Sequence, residues 1–513
     1  MVAPFLADDA GAVEPAEIVD LSRSPSETAA LALVPETYAR THRLVPLRLE
    51  GDRLIVACAE TVNPLVLREL QVLVRRPVGA LVAPRPAVEE AIRQRYSVLT
   101  EVDQHVREYT AGMGSDDGRD ASALVSESSP VVQIVNKVIK QGLRDRASDI
   151  HIEPQKESLR VRFRIDGLLV DAVQLPKSLG PALSSRLKVM ANMDIVDRHR
   201  AQDGQIRIEG GDRQVDIRVS TAETIWGEKV VLRLLDQGRT ILSLDELGLA
   251  KDNYARLAGL LRSPYGMIVV SGPTGSGKTT SLYAAIKQLD PVSQNITTIE
   301  DPVEYTFDNI NQIQIRKMAN LTFANGLRAI LRQDPDVILV GEIRDLETAE
   351  IAVQSALTGH LVLSSLHATD APGVIQRFIE MGIEGFLISS SLIGVVAQRL
   401  VRRICSFCVE PYTPLPEEHD LWLEHADSDK AVFYHGRGCD QCAGTGFRGR
   451  IGVFEVLTLS DNIKRMVSAR ASAQEIRLEA LKEGMVGLRG DAVQKVAGDR
   501  TTLAEVIRCV WMN

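Results

Sequence analysis

Apolar residues along the chain recur with two periods, and the switches between them mark out its parts. In "LVPLRLEGDRLIVAC" two alternating apolar runs are broken by "EGD", which predicts a β-hairpin. "PLVLRELQVLV" and "AVEEAIRQRY" have helical spacing, so residues 29–97 read as a small α/β domain. The stretch "YTAGMGSDDGRDASALVSESSP" is rich in Gly, Ser and Asp and poor in large apolar residues. It predicts a flexible linker over residues 108–128.

The next segment opens with a helix whose apolar face is Val132, Val135, Ile139 and Leu143, with Ser128 or Ser129 as its cap. Leu159, Val161, Phe163 and Ile165 then alternate with Arg160, Arg162 and Arg164, ahead of an Asp166-Gly167 turn. The plan repeats downstream. Ile206 and Ile208 oppose Val215, Ile217 and Val219, while Arg207 and Arg218 point the other way. Residues 129–240 therefore read as a sheet with one apolar and one arginine-bearing face, and the bland reading of the second is a solvated surface. From 241 to 403 the short apolar strands "GMIVVS", "NITTIE", "DVILVG" and "HLVLSSL" alternate with helices, as in a parallel α/β core. Beyond Cys442 the tail reads as mainly helical, with "DNIKRMVSA", "AQEIRLEALKEG" and "TLAEVIRCVW".

Length and composition narrow the function class. At 513 residues the chain is too long for one core, and about three domains are expected. The net charge of −9 argues against nonspecific nucleic-acid binding, and 4% aromatics argue against a base-stacking platform, so no nucleic-acid partner is expected. The first residues, "MVAPFLADDAGAVEPAE", have neither the basic start nor the apolar core of a secretory signal. No apolar run of about 18 residues appears anywhere. A cytoplasmic protein is expected, attached to a membrane only through a partner.

The candidate chemistry lies in the α/β core. Residues 272–279, "GPTGSGKT", fit G-x-x-x-x-G-K-[ST] between a strand and a helix. Gly272, Pro273, Thr274, Gly275, Ser276, Gly277, Lys278, Thr279 and Thr280 are the expected ATP-binding residues. The glycines let backbone N–H groups face phosphates, Lys278 reaches the β- and γ-phosphates, and Thr279 ligates Mg²⁺. In "DPDVILVGEIRD" Glu342 follows a four-residue apolar strand, where a carboxylate can hold Mg²⁺-bound water or polarise the attacking water. Glu300, Asp301 and Glu304 of "TIEDPVEY" cluster at another strand end. Spacing leaves open which acid is the general base. His360 and His367 flank a strand and fall at its opposite ends, so they need not share a role.

Six cysteines are present, four in two C-x-x-C pairs about 30 residues apart: Cys405/Cys408 and Cys439/Cys442. Two redox pairs without an oxidising compartment are less economical than one closed Zn²⁺ site with four thiolates. Cys58 and Cys509 each lie in an apolar run and read as buried thiols with no role.

In order along the chain, "ASDIHIEP", "FRIDG", the P-loop, "EDPVEY", "GEIRDLETAEIAVQSALTGHLVLSSLHA", "AQRLVRR" and the paired cysteines resemble the secretion-ATPase superfamily. The type II secretion ATPases and the type IV pilus assembly ATPases are nearest. The resemblance covers nearly the whole chain from about residue 30. It implies a RecA-like ATPase core preceded by a PAS-like α+β domain and a small N-terminal α/β domain, with a four-cysteine zinc insertion. The expected divisions are a partner-docking domain (1–107), the linker (108–128), the arginine-bearing domain (129–240), the core (241–403), the insertion (404–448) and a helical segment (449–513). It also implies a homo-hexamer at the inner membrane, working with a platform protein and a membrane-anchored docking protein. By carry-over Glu342 is catalytic, Asp301 and Glu304 are active-site acids, and His360 and His367 respond to the γ-phosphate. Arg207, Arg218 and Arg233 become candidates to reach the nucleotide.

One departure is plain. The family usually reads "PQDGR" where this chain has "AQDGQ", Ala201 to Gln205, so an arginine is missing at Gln205. Arg207, Arg218 or the nearby Arg198 and Arg200 are expected to carry part of that role. The function the resemblance implies is a motor for pseudopilus assembly and protein export. Pilus assembly, or a nucleotide-binding adaptor of low turnover, are the alternatives. No glycine- and leucine-patterned segment precedes Leu31, so the cyclic dinucleotide of some relatives is not expected.

Overall fold

Strict alternation builds the first large sheet. In this computed structural model the described residues are 5–7, 13–15, 19, 21, 24, 26–31, 33–59, 64–85, 87–88, 91–92, 102–112, 129–210, 213–236, 241–316, 319–426 and 430–511. They divide into two units. One is Met1–Asp236 with the short segment Cys439–Gly444; the other is Gln237–Gly438 with Thr445–Asn513.

In the first unit, β1 (Leu44–Glu50) and β2 (Arg53–Ala59) form the expected hairpin. Helix α1 (Pro64–Val74) crosses back to β3 (Val78–Ala83), which lies parallel to β2. Helix α2 (Val102–Gly112) follows, so residues 108–112 of the expected linker are helical; 113–128 lie outside the described residues. Its periodic Val102, Val106 and Tyr109 pack on the core of the next sheet, which the Gly/Ser-rich composition of the stretch had obscured.

That sheet has six strands: β4 (Asp149–Pro154), β5 (Ser158–Ile165), β6 (Leu168–Pro176), β7 (Gln202–Gly210), β8 (Arg213–Thr224) and β9 (Gly227–Asp236). All neighbours are antiparallel, in the order β6-β5-β4-β9-β8-β7. Along β5 burial alternates residue by residue, with Leu159, Val161, Phe163 and Ile165 inside. Helices α3 (Pro130–Arg144) and α4 (Gly180–Met190) share that apolar core. Ser129 sits at the N-cap of α3 but its side chain makes no capping bond; Pro130 at the first position already lacks an N–H. The arginines stand on the opposite face.

The second unit is built on seven strands: β10 (Gly266–Ser271), β11 (Ile296–Glu300), β12 (Asn311–Gln314), β13 (Val337–Val340), β14 (Leu361–Leu366), β15 (Leu392–Ile404) and β18 (Phe447–Thr458). Their order is β12-β11-β13-β14-β10-β15-β18. All pairs are parallel except β15/β18. β10, β13 and β14 are buried along their whole length, as strands covered on both faces must be. Strand β18 corrects the expectation of a mainly helical tail: twelve residues return to the core sheet before the helices begin. Between β15 and β18 the chain runs out through a small ladder, β16 (Val409–Tyr412) with β17 (Phe433–Gly436). Among the described residues no helix is long and apolar enough to cross a membrane.

Candidate active site

The P-loop leaves the end of β10 into helix α5 (Lys278–Ile286). Gly277 caps that helix at φ 89°, a region that favours glycine. Gly272 is required for a different reason: a Cβ there would lie 2.5 Å from the Gln398 carbonyl oxygen. Gln398, fully buried on β15, also donates from Nε2 to the Ser276 carbonyl at 2.7 Å. Lys278 donates from Nζ to the carbonyls of Gly272 (2.9 Å) and Pro273 (3.1 Å). Burial lowers the Lys278 pKa from its usual value; the Glu342 charge opposes this and the Arg399 charge adds to it.

The acids sort by burial. Glu342, just past β13, is 17% exposed and pairs with Arg344 at 2.6 Å. Arg344 is held above the usual arginine pKa by Glu342, and the Asp301 charge adds to the effect. The "EDPVEY" acids do not act as one cluster. Glu300 is buried and accepts from the Tyr283 hydroxyl, from Thr298 Oγ1 (2.6 Å) and from Gln312 Nε2 (3.3 Å). Its oxygens are committed to holding α5 against β11. Asp301 and Glu304 are exposed. The Tyr283 hydroxyl also accepts the Glu304 N–H at 3.3 Å, which fixes their turn to the P-loop helix.

The two histidines separate by strand direction. β10 and β14 run parallel with Gly266 opposite Leu361 and Ser271 opposite Leu366. His367 therefore emerges beside the P-loop. Burial lowers its pKa and the Lys278 charge adds to this, with Glu342 opposing. His360 lies at the other edge, about 20 Å away for a six-residue strand. Its carbonyl accepts the Gly266 N–H, and its Nδ1 lies 2.9 Å from the Ser355 carbonyl and 3.2 Å from Thr358 Oγ1. The expectation that His360 responds to the γ-phosphate is corrected: register puts it at the wrong end of the sheet.

In the first unit Gln205 and Arg218 face each other across β7 and β8. With Asp203, Ser220 and Arg233 they line a cleft of about 850 Å³. Arg233 pairs with Asp149 at 3.0 Å and Arg207 with Asp216 at 3.1 Å. The Arg218 side chain has no hydrogen bond or ion pair among the described residues. Arg198 lines a different cleft, beside Trp226. Arg200 is exposed and lines neither of these clefts.

The four cysteines come together. Sγ of Cys405, Cys408, Cys439 and Cys442 lie within 4.8 Å of one another, all buried and none in a disulfide. Thiolates about 2.3 Å from one Zn²⁺ stand about 3.8 Å apart; the Cys439 and Cys442 sulfurs are 3.7 Å apart. The donor set and its spacing fit a closed tetrahedral ion. Cys58 and Cys509 are buried elsewhere, with thiol pKa values pushed up by burial to about 12 and about 11.

Sequence reasoning missed Gln398 and Arg399 as parts of the site. They lie more than 110 residues from the P-loop, inside "AQRLVRR", and only the β10/β15 pairing brings them beside it.

A family model described as Type II/IV secretion system protein matches residues 125–508, and a MshEN domain model matches residues 15–102. The second match begins upstream of residue 29, where the apolar pattern placed the start of the front domain. The type IV pilus assembly ATPase PilB of Myxococcus xanthus (strain DK1622) is 41% identical over 93% of this chain and 86% of its own length. The type II secretion system protein E of Pectobacterium carotovorum subsp. carotovorum is 40% identical over 93% of this chain and 96% of its own. Among solved structures, the ATPase DotB of Legionella pneumophila aligns with a TM-score of 0.54 at 18% identity, covering 72% of this chain and 93% of its own. That likeness shows the fold of the core.

Proposed function

The chain belongs to the type II/IV secretion system protein family, and we propose that it is a motor hydrolysing ATP to power pseudopilus assembly and protein export by a type II secretion system. The observation that carries the reading is a complete P-loop with Glu342 and His367 at the same sheet edge. Lys278 exchanges the Gly272 and Pro273 carbonyls for the β- and γ-phosphates. Mg²⁺, held beside Thr279, would neutralise charge on the phosphate oxygens. Glu342 orients the attacking water, with Asp301 and Glu304 as the further acids of that edge. His367 reads the γ-phosphate.

Arg218 is our choice for the arginine that replaces the one missing at Gln205, because it lines the same cleft and has no hydrogen bond or ion pair among the described residues. Arg207 is a weaker candidate, since Asp216 already holds it. In a homo-hexamer the arginines would act at a subunit boundary, and phosphate release would loosen that closure and let the domains rotate. Zn²⁺ on the four cysteines would be structural. Partners in this reading are an inner-membrane platform protein and a docking protein bound by the front domain, with the motor cytoplasmic and peripheral.

The test is phosphate release from wild type and Lys278→Ala. Turnover abolished in the variant is expected; a wild type without turnover leaves the adaptor reading instead. Arg218→Ala should lower the rate and Gln205→Arg raise it, and no effect of either sinks the assignment of Arg218. Pilus assembly is the second reading, favoured by the near-equal identity to PilB. A knockout scored for exoprotein release and surface pili separates the two.

A further inference from the structure

His367 directly follows β14, and the residues after it are held in an unusual way. The three residues Thr369, Asp370 and Ala371 are each fixed by a different part of the C-terminal half of the chain. Arg399 on β15, 8% exposed, donates from Nη2 to the Thr369 carbonyl at 2.7 Å and from Nη1 to the Gln398 carbonyl at 3.0 Å. Arg477, on helix α10 (Ala473–Lys482), pairs with Asp370 at 2.5 Å. Glu455 on β18, wholly buried, accepts the Ala371 N–H at 2.9 Å. Arg477 also reaches Glu455 at 3.3 Å, and that carboxylate accepts the Leu488 N–H at 3.3 Å as helix α11 (Leu488–Ala497) begins.

Arg477 thus joins two carboxylates that grip the turn after His367. A buried carboxylate is costly unless paired, so removing the guanidinium leaves Glu455 and Asp370 to repel each other across the turn. Nothing in the nucleotide site needs such a group by contact: Arg477 lies on a helix of the tail, outside the P-loop, the acids and the arginine-bearing sheet. Its partner Asp370 is three residues from His367, and Ala371, whose N–H its other partner Glu455 accepts, is four. Reacting groups displaced by about 1 Å can lose about 100-fold in rate.

We propose that Arg477 is a positioning residue for ATP hydrolysis, holding Asp370 and Glu455 together so that His367 stays at the γ-phosphate. The proposal rests on the ATPase reading above and adds to it that the C-terminal helix α10 sets the geometry of the hydrolytic edge.

The experiment is steady-state phosphate release by full-length wild type, Arg477→Met, Asp370→Asn and Arg477→Lys, each also in a His367→Asn background. Arg477→Met is expected to lower kcat about tenfold, with KM for ATP changed less than about threefold. Arg477→Lys, which keeps the charge, should recover part of the loss. Asp370→Asn keeps the helix cap on Gly373 and loses the ion pair. It should reproduce the fall in kcat, and it carries the test if Arg477→Met fails to fold. In the His367→Asn background either change should cost less than about twofold more, because residues acting through one group are not additive. Losses that multiply in that background, or a kcat unmoved by both variants while wild type turns over, overturn the proposal. A wild type without turnover removes the ATPase reading and this proposal together.

Discussion

The two edges of the seven-stranded sheet are made from the same strands and do different work. At the C-terminal edge of β10, β13 and β14 the chain sets down the P-loop, Glu342 and His367. At the N-terminal edge of the same strands it sets down His360, whose imidazole lies within hydrogen-bonding distance of Ser355 and Thr358. Both histidines belong to one short stretch of sequence, and both edges carry polar residues. What differs is the direction of the peptide. Parallel strands bring all their forward ends together, so loops that are far apart in sequence converge at one rim and share a field. The Glu342 charge opposes the lowering of both the Lys278 and the His367 pKa, and the Lys278 charge adds to the lowering at His367. Chemistry here follows strand polarity rather than residue type.

That contrast can be tested by rate. The largest expected effect is Glu342→Gln, which should lower kcat by about 10²–10³-fold while a non-hydrolysable ATP analogue binds within a few-fold of wild type. Binding lost together with turnover would mean that Glu342 holds the nucleotide rather than the water. His367→Asn should come next, with kcat down about tenfold to a hundredfold and KM nearly constant, read from phosphate release against ATP concentration.

A pH effect should follow. Lys278 binds phosphate as a cation, and burial has lowered its pKa from the usual lysine value. Its contribution is present below that lowered pKa and fades as pH rises through it. Analogue affinity should therefore fall at a lower pH than an ordinary lysine gives. Glu342→Gln removes a charge that raises the Lys278 pKa, so the fall should move lower still; a fall unmoved by the variant would uncouple the two groups.

The smallest effect belongs to the opposite edge. His360→Asn should leave kcat within about twofold and cost about 1 kcal/mol of stability, seen by thermal melting, for a hydrogen bond weakened at the end of α6 (Leu346–Leu357). A large loss of activity in this variant would break the division between the edges.

Much of this was legible before any coordinates. The P-loop is a local motif, and its neighbours in sequence are its neighbours in space. The alternation from Leu159 to Ile165 gave strand, turn and inward face together. Where the reading fell short, the deciding fact was non-local. "FRGRIGVFEVLT" carries two glycines and two arginines, and only its pairing with β15 makes it a core strand. Glu300 and Asp301 are adjacent and chemically alike, yet one is sealed beneath Tyr283 and the other faces outward. Gln398 and Arg399 have no motif of their own that spacing could read. His360 and His367 could be assigned to opposite strand ends, and it is the parallel pairing of β14 with β10 that puts the forward end, and so His367, at the P-loop.

The antiparallel pair β15/β18 has a mechanical meaning. Its register runs unbroken from Gly394 to Arg402, past Gln398 at the P-loop, and Cys405 follows one residue after β15 ends. Seven residues of β15 lie beyond Ala397, the partner of Ser271, so the pair projects about 20 Å past the nucleotide edge. Val401 and Val453 of this pair share a buried cluster with Val493, Val496, Leu503 and Val506, so strands and helices would tilt together as one lever arm on the P-loop edge. A tilt of about 10° at the base would carry the tip about 3–4 Å at that length. Small rearrangements around a phosphate would arrive there as displacements large enough to move another protein.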